Sequence, residues 1–196
     1  MTGKTERYQE ILTAARTVLA EKGFDDTKVS EIAEMAGVAK GTFYIYFPSK
    51  LDLVLALVRE MQGKILSEAE KVINLKVNHF EKLIEVIKTA FNVMKSYHDV
   101  FPMFNAVSAF KTDQWKVEKE IRMPYYHFLK KLIENGQKSG EFNCNVNAEM
   151  TAILIVGMIE HVAHECFVYR SDCCIDDYLH AMNLLLRESL CKRTMT

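Results

Sequence analysis

Proline is scarce in this chain, three in 196 residues, and glycine numbers only eight. Most of these residues fall where helices would end. Alternating β-branched runs bounded by hairpin turns are missing, so a strand ladder is not expected. Charge of one sign is missing too. The formal net charge is −1, so any nucleic-acid binding must rest on local groups rather than bulk basicity. The first residues, Met1 to Glu6, lack the apolar stretch of a signal peptide. The longest apolar run, around Ala152 to Ile159, is far short of the ~18 residues of a membrane span. Together these absences predict a cytoplasmic protein without a membrane partner.

Cysteine occurs five times, at Cys144, Cys166, Cys173, Cys174 and Cys191, with no regular spacing and no Cys-x-x-Cys pair. That pattern argues against a zinc site, and a reducing cytosol argues against a disulfide framework. The cysteines are expected to serve as small apolar side chains. The adjacent Cys173 and Cys174, near a loop, keep a redox-responsive alternative open. Gly-x-Ser-x-Gly, His-Glu-x-x-His, the P-loop and the dinucleotide fingerprint are all absent, so neither catalytic residues nor a cofactor are expected. What is present is an ordinary globular balance, 49% hydrophobic and 26% charged, enough to bury a core.

The apolar residues recur at helical spacing. Tyr8, Ile11, Leu12, Ala15, Val18 and Leu19 form one face of a first helix, which Gly23 can stop. Val29, Ile32, Ala33 and Ala36 stripe a short second helix ending at Gly37. A third covers about Lys40 to Phe47, Pro48 ends it, and Ser49 can cap a long fourth helix from Lys50 to about Asn74. Phe80, Leu83, Ile84, Ile87, Phe91 and Met94 define another helix. Asp113 can cap one reaching Lys138 through Ile121, Tyr125, Phe128, Leu129 and Leu132, with Pro124 a kink or break. The turn Ser139-Gly140 closes it. Two further helices are expected over about Asn147–Tyr169 and Ile175–Lys192. The fold class is all-α.

Function concentrates between Thr27 and Phe47, two short helices around a tight turn. Gly37 gives the turn its backbone freedom, Val38 fills the angle, and Ala33 allows close approach. Ile32, Ala36, Val38, Phe43 and Phe47 make the inner face. Lys40, Gly41, Thr42, Tyr44 and Tyr46 remain outside, donors and aromatics with no acidic residue between Met35 and Leu51. Such a helix suits a major groove, where hydroxyls and N–H groups meet phosphates and base edges.

Ile32-Ala33, Ala36-Gly37-Val38, Gly41-Thr42-Phe43-Tyr44 and Tyr46-Phe47-x-x-Lys50 resemble the signature of the tetracycline-repressor (TetR) family over about residues 5 to 60. Past residue 65 the resemblance is architectural. It implies nine or ten helices: a three-helix DNA-binding head with a helix-turn-helix, a fourth linking helix, and a helical effector-binding domain whose last two helices pack across a two-fold axis. The implied domains are 5–64, with the helix-turn-helix at about 28–47, and 65–196. Carried onto this chain, Lys40, Gly41, Thr42 and Tyr44 face the groove and Tyr46 lies nearer the phosphates. Lys50 meets a backbone phosphate, and Lys28 and Ser30 touch backbone and a base. The chain departs from the family at Lys28, often threonine, and at Ala39, often serine, which removes a hydroxyl cap from the recognition helix.

Behind the head, Glu160, His161, His164 and Glu165 pair on shared helix faces. They are expected as hydrogen-bonded groups, with a divalent metal as the alternative. Phe101, Met103, Phe104, Phe110, Trp115, Tyr125, Tyr126 and Phe128 enrich the middle of the chain in aromatics and methionine, suited to a core or to an apolar cavity for an organic ligand. Phe104, Tyr125, Tyr126, Phe128 and His161 are the candidate ligand contacts. Ile153, Val156, Ile159, Val162, Leu179, Met182, Leu185 and Leu186 are candidates for a homodimer interface, with Gly157 permitting close approach. The expected protein is a repressor of operator DNA, released by a small apolar or amphipathic effector, and not an enzyme. The fourth helix is expected to be the sole covalent link between effector domain and head.

Overall fold

The computed structural model describes residues 2–99, 101, 103, 114–169 and 173–191, except the side chains of Thr2, Gln114, Trp115 and Glu118. Eight α-helices occur among the described residues: α1 (Thr2–Asp26), α2 (Val29–Met35), α3 (Lys40–Tyr46), α4 (Lys50–Val72), α5 (His79–Lys95), α6 (Gln114–Lys138), α7 (Ala148–His164) and α8 (Ile175–Leu190). Extended pairing among them is limited to one isolated bridge, between Phe142 and Cys191. The chain packs as two compact units. One holds Met1–Met61 with Tyr97–Glu118, the other Gln62–Ser96 with Lys119–Thr196. The chain therefore passes between units within α4, after α5 and within α6, so the fourth helix is not the sole link.

In the first unit, α1 buries Ile11, Leu12, Ala15, Val18 and Leu19. Its regular geometry breaks at Gly23 (φ 76°, ψ 177°), where an L side chain would strain the backbone. The Thr27 hydroxyl donates to the Gly23 carbonyl at 2.6 Å. The turn after α2 is a Schellman closure. Gly37 sits at φ 65°, its N–H reaches Glu34 O at 3.0 Å, and Val38 N–H reaches Ala33 O at 2.9 Å, satisfying carbonyls that a helix end leaves open. Phe43 and Phe47 are buried, their rings 5.7 Å apart, and Tyr8 lies 4.9 Å from Phe47. Ser49 caps α4 by accepting from Asp52 N–H at 3.1 Å.

In the second unit, Asn78 and Glu81 form a capping box at α5, Glu81 N–H to Asn78 Oδ1 at 2.8 Å and Asn78 N–H to Glu81 Oε2 at 3.2 Å. The stripe Phe80, Leu83, Ile84, Ile87, Phe91 and Met94 is buried, and α5 packs against α7 and α8. Pro124 lies inside α6, which continues through it. The proposed cap Asp113 lies outside the described residues, as does Phe110.

Three expectations for the last two helices change. The α-helix α7 ends at His164 and a π-helical turn covers Glu165–Tyr169. Cys166 and Cys173 form a disulfide across the join to α8, with Cα atoms 4.8 Å apart, so Cys173 partners Cys166 rather than standing beside Cys174 as a thiol pair. Segment Ala148–Tyr169, 22 residues with mean hydropathy 1.5, is also long and apolar enough to cross a membrane by length and composition alone, because its polar residues interrupt any single apolar run without diluting it much. Its apolar residues Ala152, Ile155, Val156 and Ile159 are instead buried in the unit's own core.

Candidate nucleic-acid interface

Burial of Phe43 and Phe47 fixes which way α3 turns. Lys40, Gly41, Tyr44 and Ile45 are exposed, whereas Thr42 and Tyr46 are half-buried. The outward stripe is thus i, i+1, i+4, i+5, one face of a helix, and it includes Ile45, which the sequence pattern passed over between two tyrosines. Lys28 and Ser30 are exposed at the start of α2. Glu31 reaches back to Lys28 N–H at 3.1 Å and accepts from the Lys22 ammonium at 2.8 Å. The Lys22 hydrogen bond, helped by the Lys28 N–H, holds its carboxyl below the usual range.

Ala39 occupies the N-cap of α3 with extended backbone (φ −66°, ψ 147°) and no side-chain cap. The backbone is already in the capping conformation, so only the hydroxyl is missing. Ala39→Ser should raise stability by about 1 kcal/mol, readable in thermal or urea unfolding. An unchanged midpoint would mean the α3 N-terminus is satisfied some other way.

Lys50 does not extend toward solvent. Its ammonium donates to the carbonyls of Phe24, Thr27 (2.9 Å) and Asp25 (3.3 Å), and lies 4.4 Å above the Phe24 ring. An ammonium has three N–H donors, and three carbonyls engage them. These bonds tie the start of α4 to the end of α1.

A second tie runs through the segment after α5. Arg16 of α1 grips Asp99 with both prongs, Nε to Oδ2 at 2.8 Å and Nη2 to Oδ1 at 2.7 Å. Its guanidinium sits 4.5 Å over the Tyr97 ring, and the Tyr97 hydroxyl donates to Glu60 of α4 at 2.7 Å. Burial raises the Asp99 carboxyl, but the Arg16 hydrogen bonds and charge outweigh it and leave it below the ordinary value. These partners are 37 and 83 residues apart, so no local spacing signals them.

Among the candidate ligand contacts, Tyr125 is buried, and its hydroxyl has no hydrogen-bond partner, unlike every other buried side-chain N or O atom among the described residues. Burial raises its pKa. Its ring stacks on Phe128 at 6.3 Å with 7° between planes. Tyr126 is half-buried, its pKa raised by burial and then by Glu160, and Glu160 accepts from Arg122 at 2.5 Å. His164 is half-buried with its pKa lowered by burial, whereas His161 is exposed. Phe104 lies outside the described residues.

Two family models match this chain: "Bacterial regulatory proteins, tetR family" over residues 11–57, and "Tetracyclin repressor-like, C-terminal domain" over residues 83–185. The chain belongs to the TetR family. It is a DNA-binding transcription regulator of the helix-turn-helix class. It is 32% identical to the fatty acid metabolism regulator protein of Bacillus subtilis over 165 residues, 82% of this chain and 83% of that protein. FadR from Bacillus subtilis, solved in complex with stearoyl-CoA, superposes with a TM-score of 0.80 at 27% identity over 91% of this chain and 97% of that one. FadR from Thermus thermophilus, solved with lauroyl-CoA, gives 0.73 at 19% identity over 91% and 92%.

In this TetR-family chain the exposed large apolar residues of α7 are Met150, Ile153 and Leu154, and those of α8 are Leu184 and Leu185. Gly157 is exposed between them in sequence, and a Cβ there would touch nothing. Of the residues offered for a dimer interface, Val156, Ile159, Val162, Met182 and Leu186 are instead buried within the chain. Both helices carry more apolar residues than one face can hold, and the inward set fills the core first.

Proposed function

We propose that this regulator is a homodimeric repressor whose hold on operator DNA is weakened by a long-chain acyl-CoA, an amphipathic effector. The observation that carries the reading is the near full-length similarity to the Bacillus subtilis fatty acid metabolism regulator. The stearoyl-CoA complex of FadR from Bacillus subtilis supports the ligand class. In this proposal residues 5–64 form the DNA-binding domain and 65–196 the effector and dimerisation domain. Lys40, Gly41 and Tyr44 face the groove, with Thr42 and Tyr46 at its margin and Lys28 and Ser30 on the flanking backbone. Tyr125, Phe128 and Tyr126 meet the ligand. The protein works in the cytoplasm, where operator and acyl-CoA are both found, and performs no catalysis.

A ligand lowers operator affinity only by as much as it prefers the DNA-incompetent state. Its effect travels along the chain's three passes between units, the second of which Arg16 and Glu60 fasten at Asp99 and Tyr97. Titrating operator DNA with and without acyl-CoAs of graded chain length tests the reading. A coupling of about 1–3 kcal/mol gives a 5- to 150-fold loss, and operator must weaken acyl-CoA binding by the same factor. Operator affinity indifferent to every chain length would overturn the acyl-CoA reading.

Tyr125 makes a separate test. A buried hydroxyl without a partner costs about 1–3 kcal/mol, a cost that a polar atom of the ligand can relieve. Tyr125→Phe should therefore stabilise the ligand-free protein and weaken acyl-CoA binding. A variant that melts lower and binds acyl-CoA unchanged would remove Tyr125 from the site.

A further inference from the structure

Ile45 is the most exposed large apolar side chain among the described residues, at 74%. A β-branched residue gains nothing for a helix at such a position, and the core gains nothing from a side chain it does not touch. The residue shares the outward stripe of α3 with Lys40, Gly41 and Tyr44. At Gly41, where the neighbouring turn would present a side chain, a Cβ would meet nothing within 4 Å, so a partner can come close to the helix beside Ile45.

We infer that Ile45 reads the C5-methyl group of a thymine in each half-site of the operator. The major groove edge of a base pair offers hydrogen-bonding groups at every position, but its one apolar feature is the thymine methyl. Lys40 and the Tyr44 hydroxyl on the same stripe serve polar edges or phosphates. Ile45 has no polar atom, so the methyl is the base feature it can distinguish. This rests on the operator-binding reading above and adds a base identity to it.

The test removes the methyl without altering any hydrogen-bonding group. An operator is first selected from random duplexes by the purified full-length protein. Each thymine is then replaced in turn by deoxyuridine, symmetrically in both half-sites, and affinities are measured for the wild type and for Ile45→Ala. Loss of one methyl contact corresponds to about fourfold per half-site and about fifteenfold for the pair. The expected result is one thymine position per half-site at which deoxyuridine costs the wild type that factor and costs Ile45→Ala nothing. Ile45 is outside the core, so the variant should keep the wild-type melting temperature. Deoxyuridine effects of equal size in both proteins would overturn the inference, as would a uniform loss in Ile45→Ala with no thymine dependence, the mark of backbone packing. A wild type that selects no duplex would overturn the operator-binding reading and this inference with it. A wild type that binds tightly but ignores every deoxyuridine sinks the inference alone.

Discussion

Leu154→Glu or Leu185→Glu is expected to leave a folded monomer that binds operator at least about a hundredfold more weakly, the lower end of what linking two binding sites contributes. Both leucines lie outside the chain's own core, 66% and 61% exposed. They share α7 and α8 with Met150, Ile153, Gly157 and Leu184, so the variant residue meets water in the monomer and apolar surface in the proposed dimer. In a two-fold interface each substitution appears twice. A carboxylate desolvated without a partner costs several kcal/mol (roughly, per ion), enough to split an association of ordinary strength. One head then holds one half-site, and the second half-site no longer acts at high effective concentration. Val156→Glu and Leu186→Glu should behave differently, since their side chains are 3% and 5% exposed; these variants should unfold rather than dissociate. Sedimentation with circular dichroism separates the two outcomes. A Leu154→Glu protein that sediments as a dimer and binds operator normally would move the interface elsewhere.

Lys50→Met should destabilise the first unit by about 2–3 kcal/mol while leaving the salt dependence of operator binding unchanged. Methionine keeps most of the stem, so the loss isolates the ammonium. Without it, the carbonyls of Phe24, Asp25 and Thr27 lose a shared cationic donor, and hydrogen bonds to charged groups are the stronger kind. The site is only part-buried, which keeps the loss near that of one charged hydrogen bond rather than three. A phosphate-binding lysine predicts the reverse pattern. Its removal leaves the unfolding midpoint in place and flattens the log–log salt slope by about 0.9 per lost contact. Urea unfolding and operator titrations at several salt concentrations decide between the two roles for Lys50.

Lys50 also marks where sequence reading stops. Helix positions follow from repeats of three and four residues, and caps from one residue beside the helix it closes. The stripes of α1 and α5, the Gly37 turn and the Ser49 cap are therefore local facts, and the structure has them as expected. A lysine at the start of a helix gives no local sign that the carbonyl end of α1, 23 to 26 residues earlier, lies within reach. Arg16 and Asp99 are farther apart still. In α7 the difficulty is of another kind. Ala152 to Val156 is apolar at five successive positions, so periodicity cannot tell the stripe that fills the core from the one left outside. Ile45 sits between two tyrosines that give a stronger local signal, and only the burial of Phe43 and Phe47 shows that Tyr44 and Ile45 point out while Tyr46 is half-buried.

At the far end of α8, Phe142 is fully buried, and its ring fills the space that a side chain at position 136 would need. Its N–H donates to Gly136 O at 2.9 Å. Phe142 also bridges Cys191, and Asn143 N–H donates to Leu190 O at 2.7 Å. The C-terminal end of α8 is thereby fastened, through backbone, to the loop that closes α6. At its other end the Cys166–Cys173 bond closes the join with α7. A helix held at both ends has less freedom to lose when a second subunit arrives. Association through Leu184 and Leu185 would then carry little further ordering entropy, a cost that ordinarily weakens binding for a given contact area. A modest patch of exposed leucines can thus sustain a tighter complex than its size alone suggests, and part of that tightness traces to a glycine on a different helix, far from the patch in sequence.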